Sequence, residues 1–131
     1  MGNKPGLRNN HATTSLGKNI YLHGGHNGDI WLDDQYILDT VNFIWNKISI
    51  IGGNAPSGRA CHTLSRINRK LYMFGGYDGN NCYNDIEVFD TDSKLWLRPN
   101  VSGKIPCARN AHSMTVVGKN LFLYGVKINN K

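Results

Sequence analysis

Five histidines and three cysteines are the side chains of this sequence with the widest chemical reach. Three of the histidines, His11, His62 and His112, each stand three residues after an arginine: Arg8, Arg59 and Arg109. A histidine can serve as a general base or as a metal ligand. Recurrence at one place in successive stretches of chain argues instead for a structural hydrogen bond inside each unit. His23 and His26 make a His-x-x-His spacing, but a zinc site needs further ligands and no third one presents itself. Cys61, Cys82 and Cys107 are odd in number and contain no Cys-x-x-Cys pair, so they read as thiols of a reducing compartment. That points to a cytoplasmic location, with the nucleus as the alternative, and makes the sequon Asn100-Val101-Ser102 a chance match. Gly-x-Ser-x-Gly, His-Glu-x-x-His and P-loop patterns do not occur. The expectation is no catalytic residue, no metal site and no cofactor.

The elements that position these side chains follow from an internal repeat. Sliding the chain by 51 residues lays Arg8 on Arg59, His11 on His62, Tyr21 on Tyr72, Gly24-Gly25 on Gly75-Gly76, Asp34 on Asp85 and Trp45 on Trp96, without a gap. A shift of 50 carries Arg59 to Arg109, His62 to His112 and Leu71-Tyr72-Met73-Phe74 to Leu121-Phe122-Leu123-Tyr124. The units are residues 8–58, 59–108 and the partial 109–131, after a tail of residues 1–7. Each unit holds strand-like segments separated by turn chemistry; in the second they lie near Cys61 to Arg66, Lys70 to Gly75, Asp85 to Asp90 and Lys94 to Leu97. Leu71-Tyr72-Met73-Phe74 is apolar throughout and predicts an inner strand buried on both faces, whereas Asp85 to Asp90 alternates as a strand nearer the rim would. The diglycine suits a place where the backbone takes positive φ and passes close to the next unit. Trp45 and Trp96 read as packing aromatics between units.

An apolar strand ending in diglycine, an aromatic or acidic turn and a later tryptophan, repeated at about 50 residues, resembles the kelch family. The second unit carries the pattern best, in Arg59-Ala60-Cys61-His62, Leu71 to Gly79, Asn84 to Asp90 and Trp96; the third departs from it at Gly125-Val126. The resemblance implies an all-β fold of kelch-type β-propeller blades, four-stranded antiparallel sheets of which this chain supplies about two and a half. Propellers close with four to eight blades, so this is an incomplete propeller. We expect a fragment or truncated product whose remaining blades come from the same longer chain, or, less economically, from other copies.

Composition narrows the partners. The net charge of +6 comes from scattered single Lys and Arg residues, without the basic stripe of a nucleic-acid surface. The longest apolar runs, such as Phe43-Ile44-Trp45, fall far short of the roughly 20 residues of a membrane span. The first ten residues lack a signal-peptide core, and Gly6 stands where a myristoylation motif wants Ser or Thr. Neither nucleic acid nor membrane is expected as a partner.

What remains is protein binding. In kelch propellers one face of the disc binds, through the loop between the second and third strands and through the approach from blade to blade. By position these are His26-Asn27-Gly28-Asp29 with Trp31, Tyr77-Asp78-Gly79-Asn80-Asn81 with Tyr83, Asn54 to Arg59, and Lys104 to Arg109. The candidate contact residues are Arg59, Tyr77, Asn80, Asn81, Tyr83, Arg109, His26 and Asn27. In some kelch proteins Arg at the places of Arg59 and Arg109, and Tyr at that of Tyr77, bind acidic peptides. Because the arginine recurs in all three units, it could equally brace adjacent blades through backbone carbonyls. The role implied is a non-catalytic adaptor or scaffold segment. The alternative is a regulatory segment of a larger enzyme, since the Gly-x-x-Pro-x-x-Arg-x-x-His approach at Gly53 to His62 resembles kelch repeats fused to serine/threonine phosphatases. A galactose oxidase-like enzyme would need convergent copper ligands, and the His and Tyr residues that can be placed follow the repeat.

Overall fold

A computed structural model of the chain describes residues 2–50 and 54–125. These residues form strands β1 (Ala12–Leu16), β2 (Asn19–His23), β3 (Gln35–Asp39), β4 (Ile44–Lys47), β5 (Thr63–Ile67), β6 (Lys70–Phe74), β7 (Ile86–Asp90), β8 (Leu95–Leu97), β9 (Ser113–Val117) and β10 (Asn120–Tyr124). They make two four-stranded antiparallel sheets, β1-β2-β3-β4 and β5-β6-β7-β8, and the hairpin β9-β10. The sheets follow one another as propeller blades do and do not close into a ring. Among the described residues no helix is long and apolar enough to cross a membrane.

The strands of the second sheet begin and end within two residues of the expected places, because turn residues bound them. Asn68, at the first place of the Asn68-Arg69 turn, takes φ 53°, a left-handed conformation that asparagine tolerates. Register then decides the core. Leu71 pairs with Phe89, and Phe89 with Trp96, so the three rise in a row on one face of the sheet. That face packs on the first sheet, with Tyr21 6.4 Å from Phe89 and His23 5.5 Å from Trp96 between ring centroids. Burial of each such apolar side chain contributes about 1.5–3 kcal/mol.

Two strand assignments shift. The strand at the inner edge of each sheet is its first: β1 adjoins β5, and β5 adjoins β9. β6 is one place further out, although Leu71, Met73 and Phe74 are buried as expected. In β7, Glu87, Val88 and Phe89 are all buried, because β8 covers one edge and neighbouring structure covers both faces. Alternation of polarity therefore misread this strand. Glu87 is tolerated because its Oε1 accepts hydrogen bonds from Arg98 Nε and Nη2, at 2.9 and 2.6 Å.

The diglycines sit where units meet. Gly24 and Gly25 have φ of 68° and 98°, and Gly75 and Gly76 have 70° and 103°. A Cβ on Gly24 would lie 2.7 Å from the Arg59 carbonyl oxygen, and one on Gly75 2.6 Å from that of Arg109. Any side chain would push the next unit away. Gly25 N donates to the Arg59 carbonyl and Gly76 N to the Arg109 carbonyl, both at 2.9 Å. Val126, the departure in the third unit, lies outside the described residues. Before the first sheet, Asn3 N donates to the Trp45 carbonyl at 3.0 Å, so residues 2 and 3 run beside β4.

Candidate protein-binding face

In a meander of four strands, the turn between the second and third points to the same end as the approach from sheet to sheet. Loops 24–34 and 75–85 therefore share one end with segments 54–62 and 104–112. Each loop is stiffened from within. Asn27 Oδ1 accepts from the backbone N–H groups of Asp29 and Ile30, both at 2.9 Å. Asp78 does the same in the second loop, taking the N–H groups of Asn80 and Asn81 at 2.9 and 2.6 Å. Burial alone would raise the Asp78 carboxyl; hydrogen bonds from Tyr83, Asn81 and Asn80 outweigh it and hold the group far below the usual carboxylate range. Burial, together with the bond to Asp78, raises the Tyr83 phenol.

Trp31 joins the loops. Its ring lies 4.5 Å from His26 in its own loop and 6.2 Å from Tyr77 in the next, and Gly79 passes directly beneath it. A Cβ at Gly79 would come within 2.5 Å of the indole, so this glycine is demanded by contact with the neighbouring unit. The result is a continuous ledge of His26, Trp31 and Tyr77, edged by exposed Asn27, Asn80 and Asn81. Tyr77 is 37% exposed, and its hydroxyl donates to the Gly79 carbonyl at 2.6 Å.

The candidate contact residues divide. Tyr77, Asn80, Asn81 and Asn27 lie open on this end, with His26 half-buried against Trp31. Tyr83 stands behind them, its hydroxyl donating to Asp78 and accepting from Ser57 Oγ at 3.0 Å. Arg59 is 1% exposed. Its Nη1 donates to the Gly75 carbonyl at 3.0 Å, its fork holds Asp85 at 2.6 and 3.0 Å, and the guanidinium lies 4.0 Å from the Tyr83 ring centroid. Arg8 repeats the arrangement with the Gly24 carbonyl at 3.0 Å and Asp34 at 2.6 and 3.0 Å. The carbonyl gripped belongs to the arginine's own unit, while the Arg59 backbone bonds to Leu32 and Gly25 of the unit before. One residue thus ties two units together. Arg109 is more open: Nη1 reaches the Gly125 carbonyl at 3.1 Å, and no carboxylate among the described residues pairs with it.

Two of the repeating histidines, His62 and His112, act between units rather than inside one. His112 Nε2 lies 3.1 Å from Thr63 Oγ1 of the preceding sheet, and its ring packs on Phe74. At the earlier junction Ala12 stands where Thr63 would supply a hydroxyl, and His23 stands in the place of Phe74. His23 Nδ1 and His62 Nε2 lie 3.1 Å apart there, sharing a hydrogen bond. Burial, then the neighbouring charges led by His62, holds His23 well below the ordinary histidine range; burial and Arg59 push His62 down to about 3. Both rings are neutral at pH 7. Among the described residues no three of His, Cys, Asp or Glu gather closely enough to hold a metal ion.

Some of this was missed in the sequence. The separation Arg8 to Asp34 equals Arg59 to Asp85, 26 residues, and could have named the brace. The Gly-x-x-Pro-x-x-Arg-x-x-His approach also begins at Gly2 and again at Gly103, so residues 2–7 resemble the other approaches. The bridging role of Trp31 had no such signal, since Cys82 occupies its place in the second unit.

Comparison with known proteins agrees with this geometry. The KLHDC2/KLHL20/DRC7 Kelch-repeats domain matches residues 1–126. The chain is 34% identical over 127 residues to a Dictyostelium discoideum protein named as a serine/threonine-protein kinase, covering 92% of this chain and 10% of that one. It is 32% identical over 126 residues to Acyl-CoA-binding domain-containing protein 4 of Arabidopsis thaliana, covering 95% of this chain and 19% of the relative. With human Kelch domain-containing protein 3 it shares 32% over 131 residues, 90% of this chain and 34% of the relative. The chain spans about a tenth to a third of these relatives. By the match over residues 1–126 and by its four-stranded sheets, the chain belongs to the kelch-repeat family, whose repeat domains typically serve as protein-interaction modules.

Proposed function

We propose that this chain is a non-catalytic adaptor or scaffold segment that binds another protein through the loop end of its blades, in the cytoplasm or nucleus. The observation that carries the reading is the ledge of His26, Trp31 and Tyr77, built across two units and fringed by Asn27, Asn80 and Asn81. Aromatic side chains on a stiff support lose little entropy on binding, and asparagines adapt their hydrogen bonds to the partner. Arg109 and Tyr83 border the ledge, and Arg59 supports it from behind. With Arg8 and Arg59 engaged by Asp34 and Asp85, an acidic peptide at this end would have Arg109 as its cationic anchor. A second reading, a regulatory segment of a larger enzyme, is favoured by the kinase-named relative, of which the matched region is a tenth.

The test is a photo-crosslinking amino acid placed at Asn80, with and without Tyr77→Ala, in source cells. A discrete protein adduct that is lost on Tyr77→Ala supports the reading. No adduct from Asn80, or one that persists without Tyr77, would overturn it.

A further inference from the structure

The net charge of the chain is unevenly spread between its two ends. At the loop end of the described residues seven basic side chains face six acidic ones, and three arginines there are held in ion pairs with Asp34, Asp85 and Glu87. The opposite end is built from the turns β1 to β2, β3 to β4, β5 to β6, β7 to β8 and β9 to β10. It carries Lys18, Arg66, Arg69, Lys70, Lys94 and Lys119, all exposed, against Asp39, Asp90 and Asp92. Six basic groups thus face three carboxylates.

The carboxylates are also engaged. Asp39 accepts from Val41 N at 2.8 Å and Asn42 Nδ2 at 2.9 Å; Asp90 accepts from Asp92 N at 2.9 Å and Ser93 N at 3.2 Å. Asp92 pairs with Arg69 at 2.7 Å. Among the described residues no ion pair involves Lys18, Arg66, Lys70, Lys94 or Lys119. Lys18, Arg69 and Lys119 each hold the second place of an inner hairpin turn, and the inner strands adjoin, so topology sets these three charges in an arc around the inner edge. Beside the arc is a recess of about 270 Å³ lined by Arg69, Lys70 and Tyr72, with Asp90 and Asp92 on its wall.

We infer that the turn end is a second docking surface, separate from the loop end, for an acidic protein segment rich in Asp and Glu. Clustered like charge raises the local concentration of an oppositely charged partner and speeds its encounter. The recess accommodates a side chain of an inserted segment. A bilayer fits less well: Val41 and Phe43 make one exposed apolar corner, but Asp92 and Lys94 take their places in the second unit, so no apolar rim continues around the end.

The experiment measures binding of a fluorescent Glu-Ser-alternating dodecapeptide to the purified chain by anisotropy, at low and physiological salt. The triple variant Lys18→Glu, Lys70→Glu, Lys119→Glu should weaken binding at least tenfold, and Lys47→Glu, an exposed lysine at the other end, less than twofold. These lysines are exposed, so the triple variant should keep the parent circular dichroism. A second variant, Lys18→Gln with Lys119→Gln, provides the same test with a milder change and a loss of about threefold. Binding that ignores these variants, or falls as far with Lys47→Glu, overturns the inference. So does capture of phosphatidylserine vesicles without peptide binding. Because Tyr77 plays no part here, failure of this test leaves the loop-end test standing, and the reverse also holds.

Discussion

The junction between the first and second sheets and that between the second sheet and the β9-β10 hairpin use the same backbone pattern, yet only the first is filled. Cys61 N donates to the Asn10 carbonyl and Ala111 N to the Cys61 carbonyl, both at 2.9 Å, so the inner ladder continues across both junctions. At the first, Phe89 and Trp96 from β7 and β8 cover Tyr21 and His23. At the second, β9 and β10 stand without such strands among the described residues, and Phe74, Ile86, Met114, Leu121 and Leu123 line an open apolar recess of about 120 Å³. Accordingly Leu121 and Leu123, which face this junction, are only half-buried, whereas their counterparts Leu71 and Met73 are fully buried. The inner hairpin sets how units join, whereas the third and fourth strands supply the packed core.

Core truncation should separate the junctions most strongly. Phe89→Ala is expected to lower unfolding free energy by about 3–5 kcal/mol, and Leu121→Ala, at the second junction, by about 1–2 kcal/mol, read from urea titrations. Equal losses would mean that the hairpin is packed as tightly as the second sheet.

Acid should open the first junction in preference. His62 is held near 3 when folded and near 6.5 when unfolded. Its folded pKa is depressed, so its contribution is fully present above about pH 6.5 and declines as pH falls toward the folded value. At pH 5 the loss is about 2 kcal/mol for such a group, with His23 adding in the same direction. The double change Ala12→Thr and His23→Phe installs the arrangement of the second junction and should remove the His23 share of this pH dependence between pH 7 and 5, while the share of His62, set by burial and Arg59, stays. An unchanged profile would show that His23 carries none of the acid sensitivity.

The smallest effect concerns strain shared by both junctions. Asn10, Cys61 and Ala111 take φ of 54°, 59° and 54°. Ala111→Gly removes the left-handed penalty and should raise stability by about 0.5–1 kcal/mol, measured by thermal melting. A loss of stability would show that the alanine methyl packs usefully.

The fold was legible because the repeat placed turn residues and diglycines in register, and each has a local cause. The site was legible only in part. Tyr77, Asn80 and Asn81 follow from loop position, but the role of Arg59 depends on Asp85, 26 residues away, and the exchange of Thr63 and Phe74 for Ala12 and His23 depends on partners in different units. A single aligned repeat cannot distinguish a contact within a unit from one across a junction. Strand β7 misled for a related reason: Glu87 looks solvent-facing until Arg98 is seen to reach it.

The central claim is that Arg59 supports the loop end while Tyr77 presents it, and urea unfolding of Arg59→Ala, Arg109→Ala and Tyr77→Ala tests it most directly. Loss of the buried fork should leave Asp85 and the Gly75 carbonyl without their partner and lower stability by about 3 kcal/mol, against less than about 1 kcal/mol for the other two. An Arg59→Ala protein as stable as its parent would contradict the account and return Arg59 to the contact surface.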